Sequence, residues 1–174
     1  MPRPALAICT FAITLDDKLV LTVRGNKTNM YPERFYGQGG NPLFTSTNIV
    51  EHQIDDMQDE IMISKEHYDV KDFLFGGVIV DKEKLIGKPD LIGWVNIKLT
   101  SDELKKIFYS RDPTKRPNDA WDIAFVPRTK EGLLNCLTKE TKASQYCPPC
   151  QGGLILYGRF NFGDKLVKEV INNL

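Results

Sequence analysis

From Asn48 to Ile63 the chain reads NIVEHQIDDMQDEIMI, and its periodicity is the strongest constraint in the sequence. At roughly 100° per residue, Val50, Ile54, Met57 and Ile61 fall in one narrow apolar stripe with spacings of four, three and four, as a core-facing helix requires. Asn48 followed three residues later by Glu51 fits a capping box that starts the helix. Asp56, Asp59 and Glu60 are expected together on the opposite side, with Glu51 and Asp55 to one flank. Carboxylates three and four residues apart repel by about 0.2–0.5 kcal/mol per pair. A surface helix normally intersperses lysine or arginine, and none stands between Glu51 and Ile63. Read alone, the helix leaves two alternatives: a solvated acidic face, or carboxylates that meet a cation. Hard divalent ions keep several waters and need only a few convergent oxygens, so two or three acids suffice.

The rest of the chain bounds the fold. At 174 residues it is long enough for one ordinary domain with its own core. Twenty-three basic and 23 acidic residues cancel, which gives no electrostatic footprint for duplex nucleic acid or an anionic membrane. No apolar run reaches bilayer length, and LAICTFAIT near the N-terminus reads as a first strand rather than a signal peptide. LAICTFAIT, DDK and LVLTVR form a predicted hairpin, and FLFGGVIVD, KEKLIGKPD and LIGWVNIKL a second. Between hairpin and helix lies a loop rich in glycine, proline and asparagine, with a short strand at ERFYG and a glycine pair in YGQGGNP. TSDELKKIFYS reads as a helix capped at Thr100 or Ser101, IAFVP as a short strand, and KEGLLNCLTKE as a helix. The tail is expected to hold a CPPCQGG turn, a strand-like LILYGRFNF and a final helix GDKLVKEVINNL. This mixture implies an α/β (α+β) fold in one domain, residues 1–174, with 126–174 a C-terminal helical and strand extension packed on it.

A glycine pair lets backbone approach a ligand, and the helix after it presents acids toward the same space. This order resembles the Nudix hydrolases, whose box is G-x5-E-x7-R-E-U-x-E-E-x-G-U with U aliphatic. Here DDMQDEIMI, residues 55–63, stands where the family has R-E-U-x-E-E-x-G-U, and the likeness spans roughly residues 5–125. Asp56 matches the glutamate after the arginine, Asp59 and Glu60 match the paired glutamates, and Gly40 matches the first glycine. Asp55 replaces the arginine, Met62 the glycine that ends the helix, and Thr47 sits near the place of the loop glutamate, with one residue more between Gly40 and Asp55 than the box has.

The resemblance implies an α/β/α sandwich with a mixed central sheet. It implies a pyrophosphohydrolase acting on a nucleoside diphosphate linked to another moiety, with Mg²⁺ or Mn²⁺ held by Asp56, Asp59 and Glu60. A further acid from a late loop, Asp119 in NDAWD, is a candidate metal ligand. Gly39 and Gly40 would shape the loop under the substrate, and Arg24 and Arg34 are candidates for its phosphates. Tyr31, Phe35 and Tyr36 are candidates to stack a base and fit the core at least as well. The alternative is a catalytically inactive module of the same fold that binds a nucleotide or a protein. Members of the family often dimerise, so a homodimer is also implied. Four cysteines are too few for a disulfide scaffold, which points to a cytoplasmic protein. Cys147 and Cys150 in CPPC are expected as reduced thiols in a tight turn; a zinc site with Cys136 lacks a fourth ligand.

Overall fold

The computed structural model of the chain describes residues 6–40, 48–81, 87–138 and 145–173. Thr47 and the turn joining the second hairpin lie outside them. Six strands form one sheet: β1 (Ala7–Ile13), β2 (Lys18–Val23), β3 (Phe35–Tyr36), β4 (Leu74–Asp81), β5 (Lys88–Asn96) and β6 (Asp122–Pro127). The order is β3-β2-β1-β5-β4, with β6 paired to β2. β1 and β5 run parallel from Ala7↔Asp90 to Ile13↔Asn96, and the other pairs are antiparallel, so the sheet is mixed.

β1 and β2 form the expected hairpin but pair only near its turn, at Ile13↔Leu19, and then diverge. The chain from Phe35 to Gly40 enters the fork between them. On one side Tyr36 pairs with Thr22 of β2. On the other, Thr10 and Gln38 exchange both backbone hydrogen bonds at 2.7 Å, and the Ile8 amide donates to the Gly40 carbonyl at 2.9 Å. The buried side chain of Gln38 fills the crotch. Its Oε1 accepts from the Ala12 amide at 2.9 Å and its Nε2 donates to the Val20 carbonyl at 3.0 Å, so strands that have parted stay satisfied. This wedge holds the glycine pair against the end of the sheet.

Alternation along the strands sends side chains to two cores. Phe11, Ile13, Leu19, Leu21, Ile92 and Trp94 meet three helices on one face: α3 (Lys130–Leu137), α4 (Pro148–Phe162) and α5 (Asp164–Ile171). Ala12, Val20, Val95, Ile97 and Ile123 meet α1 (Ile49–Ile61) and α2 (Ser101–Ser110) on the other. The result is the expected α/β/α sandwich. Thr100 caps α2, its side chain accepting from the Glu103 amide in a reciprocal capping box.

Two expectations for the tail are overturned. LILYGRFNF is not a strand, and QGG does not break a helix: Pro148–Phe162 is a single α-helix containing both. Proline suits its first turn, where no amide partner is lost. Interior glycines cost about 1 kcal/mol each against alanine, but these three lie where helix and neighbours nearly touch. A Cβ on Gly152 would come 2.9 Å from Ile79, on Gly153 2.7 Å from Phe11, and on Gly158 2.7 Å from Leu166. That approach buries Leu154 and Tyr157 almost completely, at about 1.5–3 kcal/mol for a large apolar side chain. Packing therefore outweighs propensity.

Candidate active site

α1 begins at Asn48, whose side chain accepts from the amides of Val50 and Glu51. Ile54, Met57 and Ile61 are buried in the core, as their spacing predicts. Glu60 is not opposite this stripe. It lies on the flank with Gln53, seven residues earlier, and both are buried. That flank faces the wedge. Gln53 Nε2 donates to the Gln38 carbonyl at 3.2 Å, and the Gly39 amide donates to Glu60 Oε2 at 3.1 Å. Two side chains two turns apart on one helix thus hold successive residues of the loop. Gly39 has φ +131°, and a Cβ there would meet the Ile8 carbonyl oxygen at 2.5 Å, so conformation and space both demand glycine. A Cβ on Gly40 would sit 3.4 Å from Asp56 Oδ2, which brings the second glycine up to the second acid.

The three helix acids separate. Glu60 and Asp56, one turn apart, face the glycine pair, whereas Asp59 is exposed. Asp59 contributes its backbone carbonyl, which accepts from Arg111 Nη1 at 2.6 Å and ties the end of α1 to the end of α2. Asp119 arrives on the short turn Asn118–Ala120, held to the end of β2 by Gly25 N to the Asn118 carbonyl at 2.6 Å and Trp121 N to the Val23 carbonyl at 2.8 Å. Arg24 extends from the end of β2, pairs with Asp119 at 2.5 Å and lies over the ring of Tyr36 at 5.3 Å. Arg34 turns instead to the ring of Tyr31 at 5.4 Å.

Charge is concentrated here without full compensation. Burial pushes the Glu60 carboxyl well above its usual range; the Gly39 amide and Arg24 oppose this, while Asp56 and Asp119 reinforce it. Asp56 is also raised, first by burial, then by Asp59, Asp55 and Asp119, with His52 opposing. His52 Nε2 is 3.3 Å from Asp56 Oδ2 without hydrogen-bond geometry. Among the described residues no lysine or arginine forms an ion pair with Asp56 or Glu60. No three described His, Cys, Asp or Glu side chains converge closely enough to hold an ion by themselves. Two oxygen-donor carboxylates with a third acid nearby nevertheless suit Mg²⁺ or Mn²⁺, since Mg²⁺ keeps most of its waters and takes one or two protein carboxylates. The buried, hydrogen-bond-orphaned Asp56 Oδ2 is a position such an ion would satisfy.

A cavity of about 340 Å³ opens beside this cluster, lined by Gly39, Gly40, Arg24, Asp119, Tyr36 and Asp90 among others. His52, Gln53 and Asp90 escape the sequence reading. For Gln53 a signal existed, since it shares a helix flank with Glu60. Asp90 reaches the site only through the parallel pairing of β5 with β1, which no local pattern announces.

The CPPC motif reaches the same cavity through Pro149. Cys147 is the N-cap of α4, so the motif opens a helix rather than forming an isolated turn. All four cysteines are buried. Burial pushes the Cys9 and Cys150 thiols well up, and the helix N-terminus does not make a reactive thiolate of Cys150.

No protein-family model and no curated protein matches this sequence. Solved structures do match its fold. A MutT protein from Methanosarcina mazei Go1 superposes with a TM-score of 0.60 at 12% identity, over 93% of this chain and 99% of that one. A NUDIX hydrolase from Nitrosomonas europaea gives 0.57 at 12% identity, over 91% and 90%. A bifunctional NMN adenylyltransferase/ADP ribose pyrophosphatase from Francisella tularensis, complexed with AMP and a Mn ion, gives 0.55 at 11% identity, over 98% of this chain and 43% of that one. The wedge of the glycine pair between diverging strands, the acid-bearing helix packed beneath it and these superpositions agree: the chain has the fold of the Nudix hydrolases.

Proposed function

We propose that the protein is a divalent-metal-dependent hydrolase of a nucleoside diphosphate linked to another moiety. The observation that carries this reading is Glu60, a buried carboxylate held by the Gly39 amide, beside Asp56 and Asp119. Burying charge without a partner costs several kcal/mol per ion, and a cation is the partner that would reverse it. Mg²⁺ or Mn²⁺, when bound, supplies Lewis acidity toward the pyrophosphate and lowers the pKa of a coordinated water. Asp56 and Glu60 are its proposed ligands, with Asp119 as a further ligand or as the base that takes the water's proton. Asp59 contributes negative field from the exposed side.

Gly39 and Gly40 let a phosphate approach the backbone without a side chain in the way. Arg24 serves two partners in turn: it orients Asp119 in the free protein and offers a guanidinium to a phosphate when substrate arrives. Arg34, engaged with Tyr31, is the weaker phosphate contact. The substrate is a small nucleotide derivative, as for the AMP-bound Francisella tularensis structure. Among the described residues no helix is long and apolar enough to cross a membrane, and four cysteines, too few for a disulfide scaffold in a chain of this length, favour a cytoplasmic setting.

A second reading is a binding module that has lost catalysis. Aspartate at position 55 in place of the box arginine favours it, as does the Arg24–Asp119 pair closing one side of the site. Incubation with nucleotide sugars, ADP-ribose, dinucleoside polyphosphates and NTPs, with and without Mg²⁺ or Mn²⁺, separates the two. Metal-dependent cleavage supports the hydrolase; tight binding with every compound recovered intact supports the module.

A further inference from the structure

β4 lies at one edge of the sheet and is apolar where it meets solvent. From Leu74 to Val80 it reads LFGGVIV, with no charge and no proline. Lysine, proline and very short strands are the usual protection of a sheet edge against pairing with another chain. The opposite end of the sheet uses one of them, since β3 is only 2 residues long. β4 runs for 8. Among the described residues no strand pairs with its outer side.

Residues opposite each other in an antiparallel ladder share a face of the sheet. Leu74, opposite Trp94, therefore lies on the α4 side, where the Phe160 ring packs on Trp94 at 5.5 Å between centroids. Phe75, Val78 and Val80, opposite Gly93, Leu91 and Pro89, lie on the other face. The helices there stop short: among the described residues none of β4 belongs to the core beneath α1 and α2. Leu74, Phe75, Val78, Val80 and Phe160 are between 40% and 62% exposed. Together they amount to roughly 400 Å² of apolar surface wrapped around the edge, the size that marks an interaction site on a monomer. A standard dimer buries about 800 Å² per partner. The strand backbone and a groove of about 520 Å³ beside Gly76, Leu156 and Phe160 supply the remainder.

We propose that β4 pairs antiparallel with β4 of a second copy of this chain, across a twofold axis at Ile79. An antiparallel edge is its own complement under a twofold rotation, so one strand serves both sides of the interface, in the commonest symmetry of soluble oligomers. The register follows from the ladder. A bulge between Phe75 and Gly77 twists the first part of β4, and the regular stretch is Gly77–Asp81, whose centre is Ile79. In that register Val78 of one copy stands opposite Val80 of the other, on the face that α1 and α2 leave open. The sheet then runs unbroken through both copies, and the outer amides and carbonyls of β4 find partners. The inference is independent of the hydrolase reading, since the acid cluster on α1 plays no part in it.

Sedimentation equilibrium of the intact protein between about 1 and 200 µM should show monomer and dimer alone. Hydrogen exchange at the two ends of that range should slow in β4 at the higher concentration, a readout that needs no variant. Two double variants then test the register: Val78→Lys with Val80→Lys, and Val78→Lys with Val80→Glu. Both lose the same apolar surface, and both positions are exposed in the monomer, so the core is kept. The first variant sets like charges opposite each other across the axis and the second unlike ones. The second should therefore dimerise at least about tenfold more tightly than the first, with circular dichroism confirming that both are folded. A wild type that stays monomeric, growth beyond the dimer, dimerisation without slowed exchange in β4, or equal dissociation constants in the two folded variants overturns the proposal.

Discussion

Replacing Glu60 by glutamine should make the metal-free protein more stable. Glutamine keeps the shape, can turn its amide oxygen to where Glu60 Oε2 receives the Gly39 amide at 3.1 Å, and removes the charge. Glu60 is 8% exposed, and burial raises its folded-state pKa well above the ordinary value of 4.5. Below about pH 4.5 folded and unfolded chains both hold the proton. As pH rises, the unfolded chain releases it first, the folded chain binds more protons, and stability falls until the folded-state pKa is passed. Asp56, also raised, acts with the same sign. Deleting the buried charge should recover about 1–3 kcal/mol at pH 7.5, or roughly 2–12 °C in Tm at 2–4 °C per kcal/mol. A divalent ion should do for the wild type what the substitution does for the variant. At a hundred times its Kd, bound only to the folded state, it adds about 2.7 kcal/mol, roughly 5–10 °C. Differential scanning calorimetry at pH 5 and pH 7.5, in EDTA and in Mn²⁺, reads all four quantities. A Glu60→Gln protein less stable than wild type at pH 7.5 in EDTA, or an equal Mn²⁺ shift in both proteins, would refute the reasoning.

Other consequences are local. Met62 ends α1 in the left-handed region at φ 59°, where a Cβ is penalised by about 1–2 kcal/mol. Met62→Gly should therefore be about 1 kcal/mol more stable than Met62→Ala in urea unfolding, and the reverse order would show that the turn is not strained. Gly153→Ala should lose about 1–3 kcal/mol by forcing a Cβ to 2.7 Å from Phe11; a gain of about 1 kcal/mol, as propensity alone predicts, would mean that α4 does not pack so closely on the sheet. The four buried thiols should react with a chromogenic disulfide at least about tenfold more slowly in native buffer than in denaturant, and two fast native thiols would contradict the burial of Cys147 and Cys150.

What the sequence discloses about this molecule follows the range of the interaction. The stripe Ile54, Met57, Ile61 is legible because the 3.6-residue period is local, and so are the Thr100 cap and the glycine pair before the acids. Which acids converge is less so. Asp56, Asp59 and Glu60 look alike on a helical wheel, but only the packing of α1 against the wedge buries Glu60 and leaves Asp59 in solvent. α4 is misread because its glycines are chosen by neighbours on other elements: Ile79 and Phe11, far away in the chain, and Leu166 on the next helix. Gln38 looks like an ordinary loop residue until the divergence of β1 and β2 gives its amide two strands to bridge. Asp90 is invisible for the same reason, since its partner Tyr36 is 54 residues distant.

The central claim is that Asp56 and Glu60 hold the ion that lets water open a pyrophosphate. Its most direct test is hydrolysis in ¹⁸O-labelled water with Mn²⁺, using whichever diphosphate of the panel turns over fastest, with both products weighed by mass spectrometry. The account predicts one ¹⁸O in one phosphate product per turnover, abolished by EDTA and reduced at least about a hundredfold in Glu60→Gln. Every diphosphate recovered intact and unlabelled in Mn²⁺, or labelling as fast in Glu60→Gln as in the wild type, would contradict it.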